Sequence, residues 1–121
     1  YYGDFKLDNT YKITKDILTK NDRPTALFIS SNMMTLGCIK AVNDLNMKIP
    51  DDISIIGFNK INFFNVIDMN ISYVDDSAIE LGKTSMEMLF EIIQKGNNKD
   101  VRRITLKPTI VLKGSEKYIN D

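Results

Sequence analysis

The sequence predicts an α/β fold in which a parallel sheet is flanked by helices. Two observations carry that expectation. Short apolar runs, Ala26-Leu27-Phe28-Ile29 and Ile53-Ser54-Ile55-Ile56-Gly57-Phe58, have the character of strands buried on both faces, as parallel strands are. Around them lie longer segments whose apolar residues recur at helical spacing and which open on capping residues. Strand and helix therefore alternate, and crossover helices of this kind cover a parallel sheet.

In chain order, Tyr1-Tyr2 reads as the end of a strand entering the turn Gly3-Asp4-Phe5. Asp8 or Asn9 is expected to cap a helix running to about Lys20, with Tyr11, Ile13, Ile17 and Leu18 roughly on one face. Asn21-Asp22-Arg23-Pro24 breaks it ahead of the run Ala26 to Ile29. Ser30-Ser31-Asn32 supplies caps for a second helix, about Met33 to Leu45, whose stripe is Met34, Cys38, Ala41, Val42 and Leu45. Pro50-Asp51-Asp52 is a turn before the second buried run. A polar and aromatic connection from Asn59 to Asn70 leads into a short strand, Ile71 to Val74. Ser77-Ala78-Ile79-Glu80 has the form of a capping box, in which the serine accepts from the Glu80 amide while the glutamate reaches back. The helix behind it carries Ala78, Gly82, Met86, Leu89 and Ile93 at helical spacing to about Lys95, with Gly96 as C-cap. Val101 to Leu106 and Thr109 to Leu112 read as two last strands, bent at Pro108.

Composition excludes several function classes. With 121 residues the chain suits one folding unit, and its start at Tyr1-Tyr2-Gly3 without Met suggests part of a longer polypeptide. Lys plus Arg and Asp plus Glu both number 16, so these residues lack the basic excess of a nucleic-acid reader. The absence of histidine removes the commonest general base and metal ligand, and a single cysteine permits neither a disulfide framework nor a cysteine zinc site. No apolar run has the length of a membrane span. No cofactor is expected.

In an open α/β sheet, ligands bind beyond the carboxyl ends of the strands. Four segments are expected there: Gly3-Asp4-Phe5, Ser30-Ser31-Asn32, Asn59-Lys60 and Asp75-Asp76. Together they offer an aromatic face, hydroxyls, amides and carboxylates, which suit a small polyhydroxylated or heterocyclic molecule. Each also has a plainer reading. Phe5 can anchor a turn, the Ser-Ser-Asn run can simply cap a helix, and Asp75 and Asp76 can be solvated acids favoured by a helix dipole. No nucleophile stands paired with a base, and Cys38 falls in mid-helix.

These segments carry a family likeness. Gly3-Asp4-Phe5, the stretch from Arg23 through Ser30-Ser31-Asn32 to Gly37, and Ile49-Pro50-Asp51-Asp52-Ile53 through Gly57-Phe58-Asn59 resemble consecutive landmarks of LacI/GalR-family transcriptional repressors. Ser72-Tyr73-Val74, Leu81-Gly82 and Lys113-Gly114-Ser115 continue the likeness in order and spacing. The resemblance implies the C-terminal part of an effector-binding core of the periplasmic-binding-protein type I fold, which has two α/β subdomains with a cleft between them. Residues 1–74 and about 106–121 would belong to the C-terminal subdomain, and about 75–105 to a crossover helix and strand of the N-terminal one. The last helix would then lack its usual partners here, leaving an exposed apolar stripe, including Met86, Leu89 and Ile93, that self-association or rearrangement would relieve.

The same resemblance implies effector-binding roles for Phe5, Ser31, Asn32, Asn59 and Asp76. Phe5 matches an aromatic that stacks on the effector. The other four depart from the pattern: Ser31 stands where Asn is usual, Asn32 where Asp is common, Asn59 where Asp is usual and Asp76 where Gln is usual. Such exchanges rewrite the donor and acceptor map of the site. A sugar or sugar phosphate is the family default, with purines and nucleosides also represented. Leu36 and Ile39, off the main stripe of their helix, and Phe64, Val66 and Ile67, in a connection too apolar for a solvated loop, match a dimer surface. The alternative is a satellite cluster under that loop.

The implied function is effector sensing and dimerisation in a cytoplasmic repressor that is not an enzyme. It would form a homodimer, bind a sugar-like small molecule and reach operator DNA through a headpiece absent from this chain. An extracytoplasmic solute-binding protein shares the fold and is the alternative. A metal-dependent enzyme using Asp75 and Asp76 is the third reading, since paired carboxylates sometimes hold a divalent ion.

Overall fold

The computed structural model describes residues 1–60, 70–95 and 101–117. Its elements are α1 (Leu7–Leu18), β1 (Ala26–Phe28), α2 (Asn32–Asp44), β2 (Ser54–Phe58), β3 (Ser72–Asp75), α3 (Ala78–Lys95) and β4 (Thr109–Val111). The four strands form one sheet in the order β1-β2-β3-β4. β1, β2 and β3 run parallel, with Leu27 beside Ile55 and Phe58 beside Val74. β4 pairs antiparallel to β3, placing Val74 opposite Ile110, so the sheet is mixed at that edge.

The core lies under one face of this sheet. Ile53, Ile55, Val42, Cys38 and Ile39 form it with Leu18, Ile29 and Ile71. α2 packs on β2 and, on another side, on α1. The two helices cross where Gly37 meets the Leu7 main chain, because a side chain at 37 would fall on the Leu7 carbonyl. At the surface of the pair, the Tyr11 hydroxyl donates to Asp44 Oδ2 at 2.7 Å, and Lys40 Nζ lies 4.4 Å from the Tyr11 ring centre.

Several expectations change. β1 is not buried on both faces: Leu27 is half-buried under the helices, while Phe28 is 62% exposed. The outer face is lined by Ala26, Phe28, Ser54 and Ile56 along a groove of about 660 Å³ that none of the described residues fills. Residues 101–106 form no strand, since Val101 is exposed and the segment has no neighbouring strand to bond among the described residues. A strand requires a partner as well as β-forming residues. α1 begins after Lys6, not after Asp8 or Asn9, and Asn9 Nδ2 instead donates to Asp4 Oδ2 at 3.1 Å. The capping box at α3 is replaced by a local turn in which the Ser77 amide donates to Asp75 Oδ1 at 2.9 Å.

The apolar stripe of α3 is exposed. Met86 is 52% exposed, Leu89 49% and Ile93 67%. An ion pair between Glu91 and Arg102 ties its outer surface to the chain that follows.

Candidate functional site

Because β1, β2 and β3 are parallel, their carboxyl ends open on one edge. The chain turns into α2 at Ser31-Asn32 after β1, reaches Asn59 after β2 and leaves through Asp76 after β3. The Gly3-Asp4-Phe5 turn arrives from the α1 side. Lys6 N donates to Gly3 O at 2.9 Å, and a Cβ on Gly3 would lie 2.7 Å from Cε of Met34, in the first turn of α2. That turn therefore sits against α1 and the start of α2, and a side chain at position 3 would require the Thr10 and Met34 side chains to shift.

Three of the edge positions adopt left-handed backbone, Asp4 at φ 52°, Phe5 at φ 55° and Asn59 at φ 68°. Asp and Asn tolerate this region through local hydrogen bonds, whereas for phenylalanine it is uncommon. The result at Phe5 is a ring turned outward, 71% exposed, instead of packed into the core. Outward aromatics at a ligand edge are a stacking resource.

The polar groups divide into occupied and free. Ser31 holds α2 through its main chain: its carbonyl accepts from Thr35 N at 2.8 Å and from Thr35 Oγ1 at 2.9 Å, and its side chain makes no capping bond. Asn59 and Asp76 are brought together, with Asp76 N donating to Asn59 Oδ1 at 3.4 Å. Asn32 Oδ1 and Asp76 Oδ1 are buried and have no partner among the described residues. Buried acceptors are normally satisfied, and each one left bare costs about 1–3 kcal/mol. Two such acceptors at one sheet edge are free to take donors.

The dimer-surface residues fare differently. Phe64, Val66 and Ile67 lie outside the described residues. Leu36 is half-buried against the core, and Ile39, 5% exposed, is a member of it. The reason is that α2 is covered from two sides, by the sheet and by α1, so its buried arc is wider than a single stripe. Ile39 thus packs in the core of this chain and supports the fold.

Chemistry by a nucleophile finds no support at Cys38, whose thiol burial pushes up to about 11, with a smaller opposing effect from Thr14. Among the described residues, no three metal-binding side chains gather at one point. Asp75 spends one carboxylate oxygen on the Ser77 amide.

One buried polar cluster escaped the sequence reading. Ser115 Oγ donates to Ile55 O at 2.5 Å and accepts from Ser72 N at 2.8 Å. Ser72 Oγ accepts from Lys113 N at 2.7 Å and donates to the Glu116 carboxylate. The signal available was a serine inside the apolar run Ile71-Ser72-Tyr73-Val74, a position that demands partners if buried.

With this geometry in view, comparison with known proteins is decisive at one level. The periplasmic binding protein-like domain family matches residues 3–115. The chain belongs to that family. This periplasmic binding protein-like domain is 31% identical over 121 residues to the HTH-type transcriptional repressor PurR of Mannheimia succiniciproducens, a match covering 98% of this chain and 35% of that protein. It is 32% identical over 110 residues to PurR of Yersinia enterocolitica, covering 90% and 32% respectively. The chain thus spans about a third of the length of the curated relatives it matches. Among solved structures, a LacI family transcriptional regulator from Enterococcus faecium with bound ribose superposes with a TM-score of 0.82 at 24% identity, covering 96% of this chain and 42% of that one. A LacI-family regulatory protein from Corynebacterium glutamicum gives 0.76 at 23% identity, covering 92% and 42%. The LacI/GalR likeness and the α/β class read from the sequence both hold.

Proposed function

We propose that this domain is the effector-sensing and dimerisation part of a bacterial transcriptional repressor that binds a sugar or sugar derivative. The observation that carries the reading is the pair of buried, unpartnered acceptors, Asn32 Oδ1 and Asp76 Oδ1, on the edge that also presents the outward ring of Phe5. A polyhydroxylated ring supplies what both require: hydroxyl donors for the acceptors and an apolar face for the phenyl ring. Repressor relatives and the ribose-bound neighbour support the reading, though the ribose belongs to that neighbour. The protein is a cytoplasmic regulator with no catalytic step. It acts as a homodimer, to which Leu36, Phe64, Val66 and Ile67 contribute, and contacts operator DNA through a headpiece outside these residues. α3 and the leg after it belong to a second subdomain that closes the cleft, consistent with the exposure of Met86, Leu89 and Ile93.

Calorimetric titration of the full-length protein with D-ribose, D-glucose, D-galactose and hypoxanthine tests the site. One of the sugars is expected to bind, with Asn32→Ala and Asp76→Ala each weakening it about tenfold or more. Binding by hypoxanthine alone would move the ligand class, and equal affinity in both variants would remove these residues from the site.

A further inference from the structure

We propose that Asn59 is a positioning residue that ties the contents of the cleft to the direction in which the chain leaves the sheet toward α3. The inference rests on the effector-sensing reading above and adds to it a route out of the site.

β3 is held very differently at its two ends. Its first residue, Ser72, is fully buried and bonded on several sides: to Ser115 Oγ through its amide, and to Lys113 N and the Glu116 carboxylate through its hydroxyl. Ser115, also buried, passes the connection to Ile55 O in the central strand. The roots of β3 and of the segment that follows β4 are therefore fastened to β2.

At the other end the fastening comes from Asn59. Its amide donates to Val74 O at 2.7 Å, and its Oδ1 accepts from Asp76 N at 3.4 Å. The first bond is short and lies within the sheet; the second is longer than the usual N–H···O range of 2.7–3.2 Å. An amide oxygen has two acceptor sites, so Asn59 Oδ1 can take a donor from a ligand either beside the Asp76 amide or in its place. Asp76 is also the residue whose own Oδ1 lacks a partner, so a ligand that satisfies it approaches the same peptide.

Beyond Asp76 the path to α3 is short. Asp75 Oδ1 accepts from Ser77 N at 2.9 Å, Ser77 turns the chain at φ 55°, and Ser77 O accepts from Leu81 N at 2.9 Å in the first turn of α3. A shift of the Asp76 peptide thus acts one residue from the turn that launches the helix. With the root fixed, Val74 and Asp75 paired to β4 and the Asp76 amide held by one long bond, the chain bends at Asp76. The identity of residue 59 fits both tasks, since asparagine tolerates φ 68° and offers the acceptor.

The test is hydrogen–deuterium exchange of the full-length protein, resolved over residues 74–82, with and without D-ribose, D-glucose or D-galactose. Asn59→Gly keeps the left-handed backbone and removes the acceptor; Asn59→Asp keeps an acceptor. Without ligand, Asn59→Gly is expected to speed exchange over residues 76–81 about tenfold while the α1 and α2 peptides stay at the wild-type rate. Asn59→Asp is expected to stay within about twofold of wild type. A bound sugar should change exchange over the same residues in wild type and lose that effect in Asn59→Gly. Uniform acceleration throughout, or equal acceleration by both substitutions, would make Asn59 merely structural and overturn the proposal. If Asn59→Gly fails to fold, the ligand-induced change in Asn59→Asp decides, because retention is required. If no sugar binds wild type, the effector reading fails on its own and the ligand-free exchange still judges the positioning role.

Discussion

Helices α2 and α3 each hold a glycine and isoleucine on a regular α-helical backbone, and the surroundings of those residues are opposite. In α2, Gly37 is pressed against the Leu7 main chain and Ile39 is 5% exposed. In α3, a Cβ on Gly82 would meet nothing within 4 Å, and Ile93 is 67% exposed. Both helices carry apolar stripes in sequence. Periodicity of that kind says that a helix needs a partner without saying where the partner is, because a stripe is a demand for burial and not a contact. α2 finds two partners among these residues; α3 finds none of comparable extent among the described ones. The doubly covered helix forms the foundation of the candidate site, and the bare one leaves its apolar face exposed.

The isoleucine pair gives the largest separation. Ile39→Ala is expected to cost about 2–5 kcal/mol in urea unfolding of this chain, through lost transfer energy and the cavity left in the core. Ile93→Ala should stay within about 0.5 kcal/mol, as a surface substitution does. Similar losses at both sites would break the comparison. A cost for Ile93→Ala that rises above about 2 kcal/mol only in the full-length protein would sharpen it, by locating the partner of α3 in the added polypeptide.

The next effect is at the crossing of α1 and α2. In Gly37→Ala the new methyl meets the Leu7 carbonyl, which is backbone and cannot swing aside as a side chain would. The expected loss is about 1–3 kcal/mol, despite the better helix propensity of alanine. A thermal midpoint at or above the wild-type value would show that α1 shifts freely over α2.

Much of this arrangement was legible in the sequence, for identifiable reasons. The bounds of α2 follow from Ser30-Ser31-Asn32 and a stripe in which Cys38, Ala41 and Val42 are all buried. β2 was readable because Ile53 and Ile55 need burial and a proline turn precedes them. What failed depends on contacts distant in sequence. Ile39 looked peripheral because one stripe was counted, whereas it packs in the core cluster with Ile29, Ile53 and Ile55. Residues 101–106 looked like a strand because their side chains suit one, but no neighbouring strand adjoins them among the described residues. At the site, sequence indicated which residues stand at the edge and not which were already engaged. Asp75 is committed to Ser77 and Asn59 to Asp76, while the neighbouring Asp76 and Asn32 keep a bare oxygen each. That distinction depends on backbone turns at φ 68° and φ 55°, which asparagine and serine permit without announcing.

Gly82→Ala is the smallest effect and tests the comparison most directly, since it repeats the Gly37 substitution where no neighbour opposes it. Alanine restricts the unfolded chain and favours the helix, so with open space at the site this chain should gain about 0.5–1 kcal/mol. The sign is the informative quantity. A loss in this chain would mean that the bare face of α3 is already packed in solution, through a second copy or a rearrangement. A gain in this chain that turns to a loss in the full-length protein would place Gly82 at a close helix contact with the remaining polypeptide, the counterpart of what Gly37 does for α1 and α2. Were the gain to persist at full length, Gly82 would lie on the solvent side of α3. The docking face would then have to be drawn through Met86, Leu89 and Ile93 alone.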